Sequence, residues 1–171
     1  MEQAGFRFEV RNKEVEEDFP SEMPADEVAP FLAEKKALAC AEFLRSDDEI
    51  LLSADSVVIL DEKIYGKPID FDDAVQILTE LSGRVHRVIT GVCLLSKTKK
   101  RVFSEVAHVH FQPLSEAEIR YYIETYQPYD KAGAYAVQEW IGLCKISKIE
   151  GTYSNIMGLP MEVLFRELEG F

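Results

Sequence analysis

The stretch that most restricts this chain is Ile50 to Leu60, ILLSADSVVIL, an apolar, β-branched run that reads as a buried strand yet carries a carboxylate, Asp55. An ionised carboxylate inside an apolar layer costs several kcal/mol unless it is paired or metal-bound, so the fold must bring a partner to this strand. By residue type, Asp55 is either a general base or metal ligand, or a structural carboxylate bonding backbone amides at a strand end. Asp61-Glu62-Lys63 reads as a turn into Ile64 and Tyr65. The Gly66-Lys67-Pro68 that follows would return a lysine to the same end of the sheet. Gly66 would allow a close backbone approach, and lysine suits phosphate as a point charge. A solvated turn is the alternative.

The rest of the chain supplies elements around that strand. Phe6, Phe8 and Val10 alternate with Arg7, Glu9 and Arg11, the period of a half-buried strand, and an acidic, proline-marked loop runs from Glu14 to Pro24. Val28, Phe31, Leu32, Leu38 and Ala41 recur at helical spacing and predict a helix over 26–45, with Pro30 tolerable only near its first turn. Phe71 to Leu81 is amphipathic and stops at Gly83. Strands are predicted over Val85–Leu95 and Val102–Phe111, joined by the polar SKTKKR. Ser115 and Glu118 have capping-box spacing and open a helix ending near Thr125. A strand is predicted over Ile141–Ile149, and Pro160 opens a last helix towards Leu168. Alternating strands and helices with two hairpins predict one α/β domain over 1–171, with a mixed, strongly twisted sheet flanked by helices.

Charge narrows the partners. With 19 Lys+Arg against 31 Asp+Glu, the net charge of −12 opposes a nucleic-acid backbone, and no basic stripe offsets it. A small polyanion remains compatible, because a divalent metal and a few lysines can neutralise it within one cleft. No apolar run is long enough for a membrane span and the N-terminus lacks a signal-peptide core. Cys40, Cys93 and Cys144 are odd in number, without a CxxC pair, which suits a reducing cytosol. Their apolar neighbours predict small core residues.

Other polar groups stay open between chemistry and scaffold. Lys35 and Lys36 sit among Ala and Leu on the first helix, and Glu14, Glu16, Glu17 and Asp18 form an acidic cluster that suits either a hard cation or a solvated loop. His108 and His110 share one strand face without a third ligand nearby, which favours ordinary strand residues. His86 follows a helix end and reads as a cap. In Asp130-Lys131-Ala132-Gly133-Ala134-Tyr135, small residues would let a ligand approach the backbone, and Gln138 would offer a donor and an acceptor together.

The order of these segments is informative. SADS, GKP, LSGRVHRVITG, FQPLSEAEI, YDKAGAYAVQ and IEGTYSNIMGLP, taken in sequence, closely resemble the Maf family of nucleotide pyrophosphatases from Phe6 to Leu168. The resemblance implies that family's fold, with a central cleft, and hydrolysis of a nucleoside triphosphate to monophosphate and pyrophosphate with Mg²⁺ or Mn²⁺, in the cytoplasm. DKAGAYAVQ is similar to the DKAGAYGIQ loop of the subfamily acting on dTTP, UTP and modified pyrimidine nucleotides. By position, Asp55 matches the family's proton acceptor and Ser56 replaces the usual threonine beside it. Gln138 matches the residue linked to base choice, and Glu17, Lys36 and Lys67 match charged site positions. Thus Asp55 is expected to be catalytic, Lys36, Lys67, Ser56 and Gln138 to bind substrate, and Glu17 with Asp55 to face the metal. Family members often form homodimers.

One departure is expected to matter. The family begins with a strand and an S-x-S-P-R-R loop whose amides and arginines grip phosphate, whereas Met1 to Gly5 looks like the end of the helix after that loop. A catalytically impaired nucleotide- or partner-binding protein linked to cell division is therefore the alternative, and a phosphomonoesterase using the same cleft a third reading.

Overall fold

A computed structural model describes residues 1–171. Its sheet has the order β2-β1-β3-β4-β5, built from β1 (Leu51–Leu60), β2 (Lys63–Tyr65), β3 (Val85–Leu95), β4 (Lys100–Phe111) and β5 (Ile146–Glu150). Its helices are α1 (Ala25–Ala39), α2 (Phe71–Leu81), α3 (Glu116–Tyr126), α4 (Trp140–Lys145), α5 (Tyr153–Ile156) and α6 (Met161–Glu169). The α/β arrangement of helices around one sheet is as expected. Every strand pairing is antiparallel, where a mixture of senses was expected. The reason is topological: β2 and β3 run the same way, but β1 lies between them, so the crossover through α2 never places parallel strands side by side.

The two faces of the sheet are covered differently. Val57, Ile59 and Ile89 face α1, while Val58, Leu60 and Val88 face a core shared with α2 and α3, and Val92 and Leu94 pack under α6. The centre of β3 is thus buried on both sides, and Val88 to Leu95 is apolar except at Thr90 and Gly91. The helix α1 meets the sheet through the expected Val28 and Leu32 together with Ala25, Ala29, Ala33 and Ala37, a row at i+4 spacing; Phe31 is partly buried against the same cluster, whereas Leu38 is exposed. The alanines permit direct backbone contact. A Cβ on Gly91 would lie 2.2 Å from the Pro30 nitrogen, so only glycine fits there. Pro30 sits in the second turn of α1, beyond the first turn where its missing N–H is harmless, and it is this segment that rests on Gly91.

Other expectations shift locally. Phe6 to Val10 pairs with no strand of the sheet and forms none; Phe8 and Val10 are exposed and the chain from Phe6 to Pro20 is irregular. Glu2–Ala4 forms one 3-10 turn closed by Gly5 at φ 80°. The helix predicted over 26–45 stops at Ala39, and a 3-10 turn follows over Ala41–Phe43. The strand predicted from Ile141 begins only at Ile146, since Trp140 to Lys145 coils into α4 and buries Ile141. Pro160 is the N-cap of α6 and not its first residue. Asp61 and Glu62 take φ of 48° and 64°, the left-handed pair that closes a tight two-residue hairpin between β1 and β2. The capping box of Ser115 and Glu118 forms as predicted.

Of the cysteines, Cys93 is buried and its thiol is pushed up to about 11 by burial, whereas Cys144 is exposed at the end of α4 and is no core residue. No helix is long and apolar enough to cross a membrane.

Candidate functional site

The strand β2 pairs only with Val58 to Leu60 of β1, so from Leu51 to Val57 that edge of β1 has no strand partner. A cleft of about 310 Å³ opens at this edge and takes in both faces of the strand. Its lining includes Glu17, Lys36, Asp55, Ser56, Lys67 and Gln138, so all six residues singled out in the sequence come to one place. Alternation along β1 sends Asp55 to the α1 side and Ser56 to the opposite side. The segments 130–138 and 156–158 complete the walls.

On the α1 side, Asp55 finds the partner its burial demands. Its side chain is 11% exposed, and one oxygen accepts a hydrogen bond from Lys36 Nζ in the last turns of α1. The same Nζ donates to Glu17 Oε1 at 2.8 Å, and Lys67 Nζ donates to Glu17 Oε2 at 2.9 Å. Two carboxylates and two ammonium groups thus form one chain across the cleft mouth. Burial pushes the Asp55 carboxyl above its ordinary value, more than Lys36 pulls it down. Burial also opposes the charge on Lys36, but its bonds to Asp55 and Glu17 outweigh that and keep it firmly protonated. Glu17, bonded to Lys36 and Lys67, is held below the usual carboxylate range despite its partial burial. Asp55 is anchored from behind, because Ser53, two residues earlier on the same face, donates to the Ala33 carbonyl at 2.6 Å and ties β1 to α1.

On the opposite face of β1 the contacts of Ser56 itself are uncharged. Ser56 Oγ lies 2.7 Å from Thr90 Oγ1, which donates to the Asn155 carbonyl at 2.8 Å, and Asn155 Nδ2 donates to the Val88 carbonyl at 3.1 Å. Thr90 and Asn155 are fully buried, and neither is singled out by the sequence; a hydroxyl within the apolar run of β3 is a signal for Thr90, whereas Asn155 lies in a polar stretch that hides it.

The loop carrying DKAGAYAVQ packs against this frame at two glycines. Gly133 donates to the Gly66 carbonyl at 3.0 Å, and a Cβ on it would press on Val58 at 2.8 Å. Gly133 and Ala134 both adopt positive φ, 71° and 58°, a turn that leaves Tyr135 pointing inward. There the Tyr135 hydroxyl lies 2.7 Å from His86 Nε2. His86 is therefore a buried strand residue and not a helix cap; burial pushes its pKa down to about 3, so it is neutral. Glu139 accepts from the Tyr122 hydroxyl, which itself accepts from Ala136 N at 3.0 Å, so this carboxylate braces the loop from beneath. Gln138 stands exposed at the rim. Outside the cleft, Lys35 pairs with Asp18, and His110 lies 2.9 Å from Glu150.

Comparison with known proteins identifies the family. The family described as Maf-like protein matches residues 1–171. A protein of Porphyromonas gingivalis named dTTP/UTP pyrophosphatase is 44% identical over 167 residues, covering 96% of this chain and 84% of that protein. Proteins of the same name from Phocaeicola vulgatus and Bacteroides thetaiotaomicron are 45% and 42% identical, covering 96% and 99% of this chain and 86% and 88% of their own lengths. With a match over its whole described length and relatives above 40% identity, the chain belongs to the Maf family.

Proposed function

We propose that this chain is a nucleoside triphosphate pyrophosphatase that hydrolyses dTTP, UTP and related pyrimidine nucleotides to the monophosphate and pyrophosphate. One observation carries the reading: a buried carboxylate with a raised pKa shares a lysine with a second carboxylate, in a cleft that also holds Lys67 and Gln138. The names of the relatives supply the substrate class.

In this reading water attacks the α-phosphorus, the bond to the bridging oxygen breaks, and pyrophosphate leaves. Asp55 accepts the proton of the attacking water, a role that a pKa shifted upwards by burial suits better than an ordinary carboxylate would. Lys36 and Lys67 contact phosphate oxygens and stabilise the charge that develops on them. Gln138 sits at the rim, where its amide can pair with a pyrimidine edge.

A divalent ion fits this site as a ligand shared with the substrate. The residues provide no cluster of three or more acidic, His or Cys donors. Glu17 Oε1 and Asp55 Oδ1 nevertheless converge on a single cation, the Lys36 ammonium, and Mg²⁺ characteristically binds through one or two carboxylates together with phosphate oxygens. Mg²⁺ or Mn²⁺ held by Glu17, Asp55 and the triphosphate would supply charge neutralisation at the phosphates. The same reading takes residues 1–171 as one domain, acting in the cytoplasm as a homodimer.

The test is product analysis with UTP and dTTP, with and without Mg²⁺ or Mn²⁺, on this chain and on a version extended upstream by an S-x-S-P-R-R segment. Monophosphate and pyrophosphate in equal amounts are expected, only with metal. Orthophosphate as the first product would instead support a phosphomonoesterase.

A further inference from the structure

Gln138 occupies a corner that its surroundings pin down. Glu139 N donates to the Ala136 carbonyl at 3.2 Å, so residues 136–139 form a closed turn with Gln138 as its third residue. Both ends of the turn are tied to one phenol. Ala136 N donates to the Tyr122 hydroxyl oxygen at 3.0 Å, and the single phenolic proton goes to the Glu139 carboxylate. Tyr122 is itself fixed, being fully buried on α3 and stacked on Tyr126 with ring centroids 5.1 Å apart. Inside the turn Val137 is buried, and its carbonyl lies so close to Gly142 that a Cβ there would come within 1.8 Å of it. Only the Gln138 side chain is left exposed, at the cleft.

We infer that Tyr122 and Glu139 are positioning residues for base selection: together they fix the turn from below, and with it the place from which the Gln138 amide meets the nucleotide base. Neither lines the cleft, so they act through Gln138 and not by touching substrate. A glutamine on a loose turn would follow whichever base entered, because its flexible side chain can offer a donor or an acceptor to each. Held in one place before the ligand arrives, it favours the edge that matches. Removing either partner strands a polar group: without the phenol, the N–H of buried Ala136 loses its acceptor, and without the carboxylate, the Tyr122 proton does. The turn then gives way to recover the bond, and Gln138 moves with it. Asp55, Lys36 and Lys67 stand on β1, on α1 and after β2, outside this turn, so the phosphate end of the cleft is untouched. The inference rests on the reading of Gln138 given above.

Titration calorimetry with Mg²⁺ and the α,β-methylene analogues of UTP and GTP, which are not hydrolysed, tests it, with inorganic tripolyphosphate as the ligand that has no base. Tyr122→Phe and Glu139→Ala should each reduce the preference for the UTP analogue about three- to tenfold, the effect of one neutral hydrogen bond, and leave tripolyphosphate within about twofold. Glu139→Gln keeps an acceptor for the phenol and should restore the wild-type preference. In a Gln138→Ala background, where the preference has already fallen, adding Glu139→Ala or Tyr122→Phe should change it no further. Thermal melting checks that Tyr122→Phe folds, and the half-buried Glu139 gives the same readout if it does not. Three results would each overturn the inference and leave the pyrophosphatase reading standing: a preference unmoved by Glu139→Ala, an equal loss of tripolyphosphate and both nucleotides, or a further fall in the Gln138→Ala background. A Gln138→Ala chain with the wild-type preference would overturn the role of Gln138 and this inference together.

Discussion

Two carboxylates share the Lys36 ammonium but reach it from opposite kinds of structure. Asp55 comes from the middle of β1, paired along β3 and clamped to α1 through Ser53. Glu17 comes from the irregular arm of residues 6–20, which is held chiefly by charge: Lys13 with Glu42, Lys35 with Asp18, and Lys36 and Lys67 with Glu17. A buried strand fixes a side chain at the cost of desolvating it. An exposed arm delivers a carboxylate that keeps its charge but whose position depends on the surrounding salt. The cleft uses one of each.

The comparison is broken most severely at Asp55. Asp55→Asn keeps the shape and removes the proton acceptor, so kcat should fall by about 10²–10⁴-fold. The melting temperature should barely move; unchanged turnover at saturating nucleotide and metal would remove Asp55 from the role. Next, Gly91→Ala attacks the clamp itself by forcing α1, and Lys36 with it, off the sheet. Overpacking of this kind costs about 1–3 kcal/mol, or roughly 2–12 °C of melting temperature at this chain length. Wild-type stability in this variant would mean that the contact at Pro30 is not tight.

Smaller effects sharpen the contrast. Glu17→Gln should cost less than about 1 kcal/mol of stability, because its lysine pairs are partly exposed, while lowering kcat/KM by roughly two- to tenfold. Raising NaCl from about 0.05 to 0.5 M should move NMR signals of residues 6–20 towards disordered-chain values and leave those of β1 and β3 in place, as screening of exposed pairs requires. Equal responses in both regions would show that the arm is held by packing. Acid should separate them by sign. Glu17 has a lowered folded pKa, so the stability it lends the arm is complete above its ordinary value near 4.5 and is lost as pH falls through the folded value. Asp55 has a raised folded pKa, so its ionisation costs stability as pH rises through that value, and acid relieves this cost. NMR signals of residues 6–20 should therefore move towards disordered-chain values on acidification before those of β1 and β3 respond.

What could be read from the sequence follows the same division. The frame was legible because burial leaves a pattern: the β1 run, the α2 and α3 stripes and the capping box all appear where the residues put them. Asp55 was conspicuous as a charge in an apolar run, although Lys36, Lys67, Glu17 and Gln138 took on meaning only through their resemblance to a family. The arm misled, because Phe6, Phe8 and Val10 alternate as a strand does, and alternation says nothing about whether a strand pairs with them. The seam of α1 is only partly legible for a related reason. Spacing picks out Val28 and Leu32, which are buried, and Leu38, which is not, whereas the row of alanines along the approach to Gly91 has no large side chain to mark it. The hydrogen-bond chain from Ser56 to Asn155 was beyond the sequence, since it depends on which hydroxyl sits nearest a carbonyl.

The brevity of β2 has one more consequence. An unpartnered strand edge invites another chain to add to it, and proteins usually blunt such edges with charge, irregularity or cover. Here the stretch of β1 beyond Val58 is flanked by Lys36 and Asp55 on one side and by the glycine-bearing segments at 133 and 158 on the other. A strand from a second molecule would have to displace an ion pair and two turns to reach it. The features that keep this edge from recruiting its own kind leave a gap sized for a small guest, so resistance to aggregation and capacity for a ligand arise from the same missing residues of one short strand.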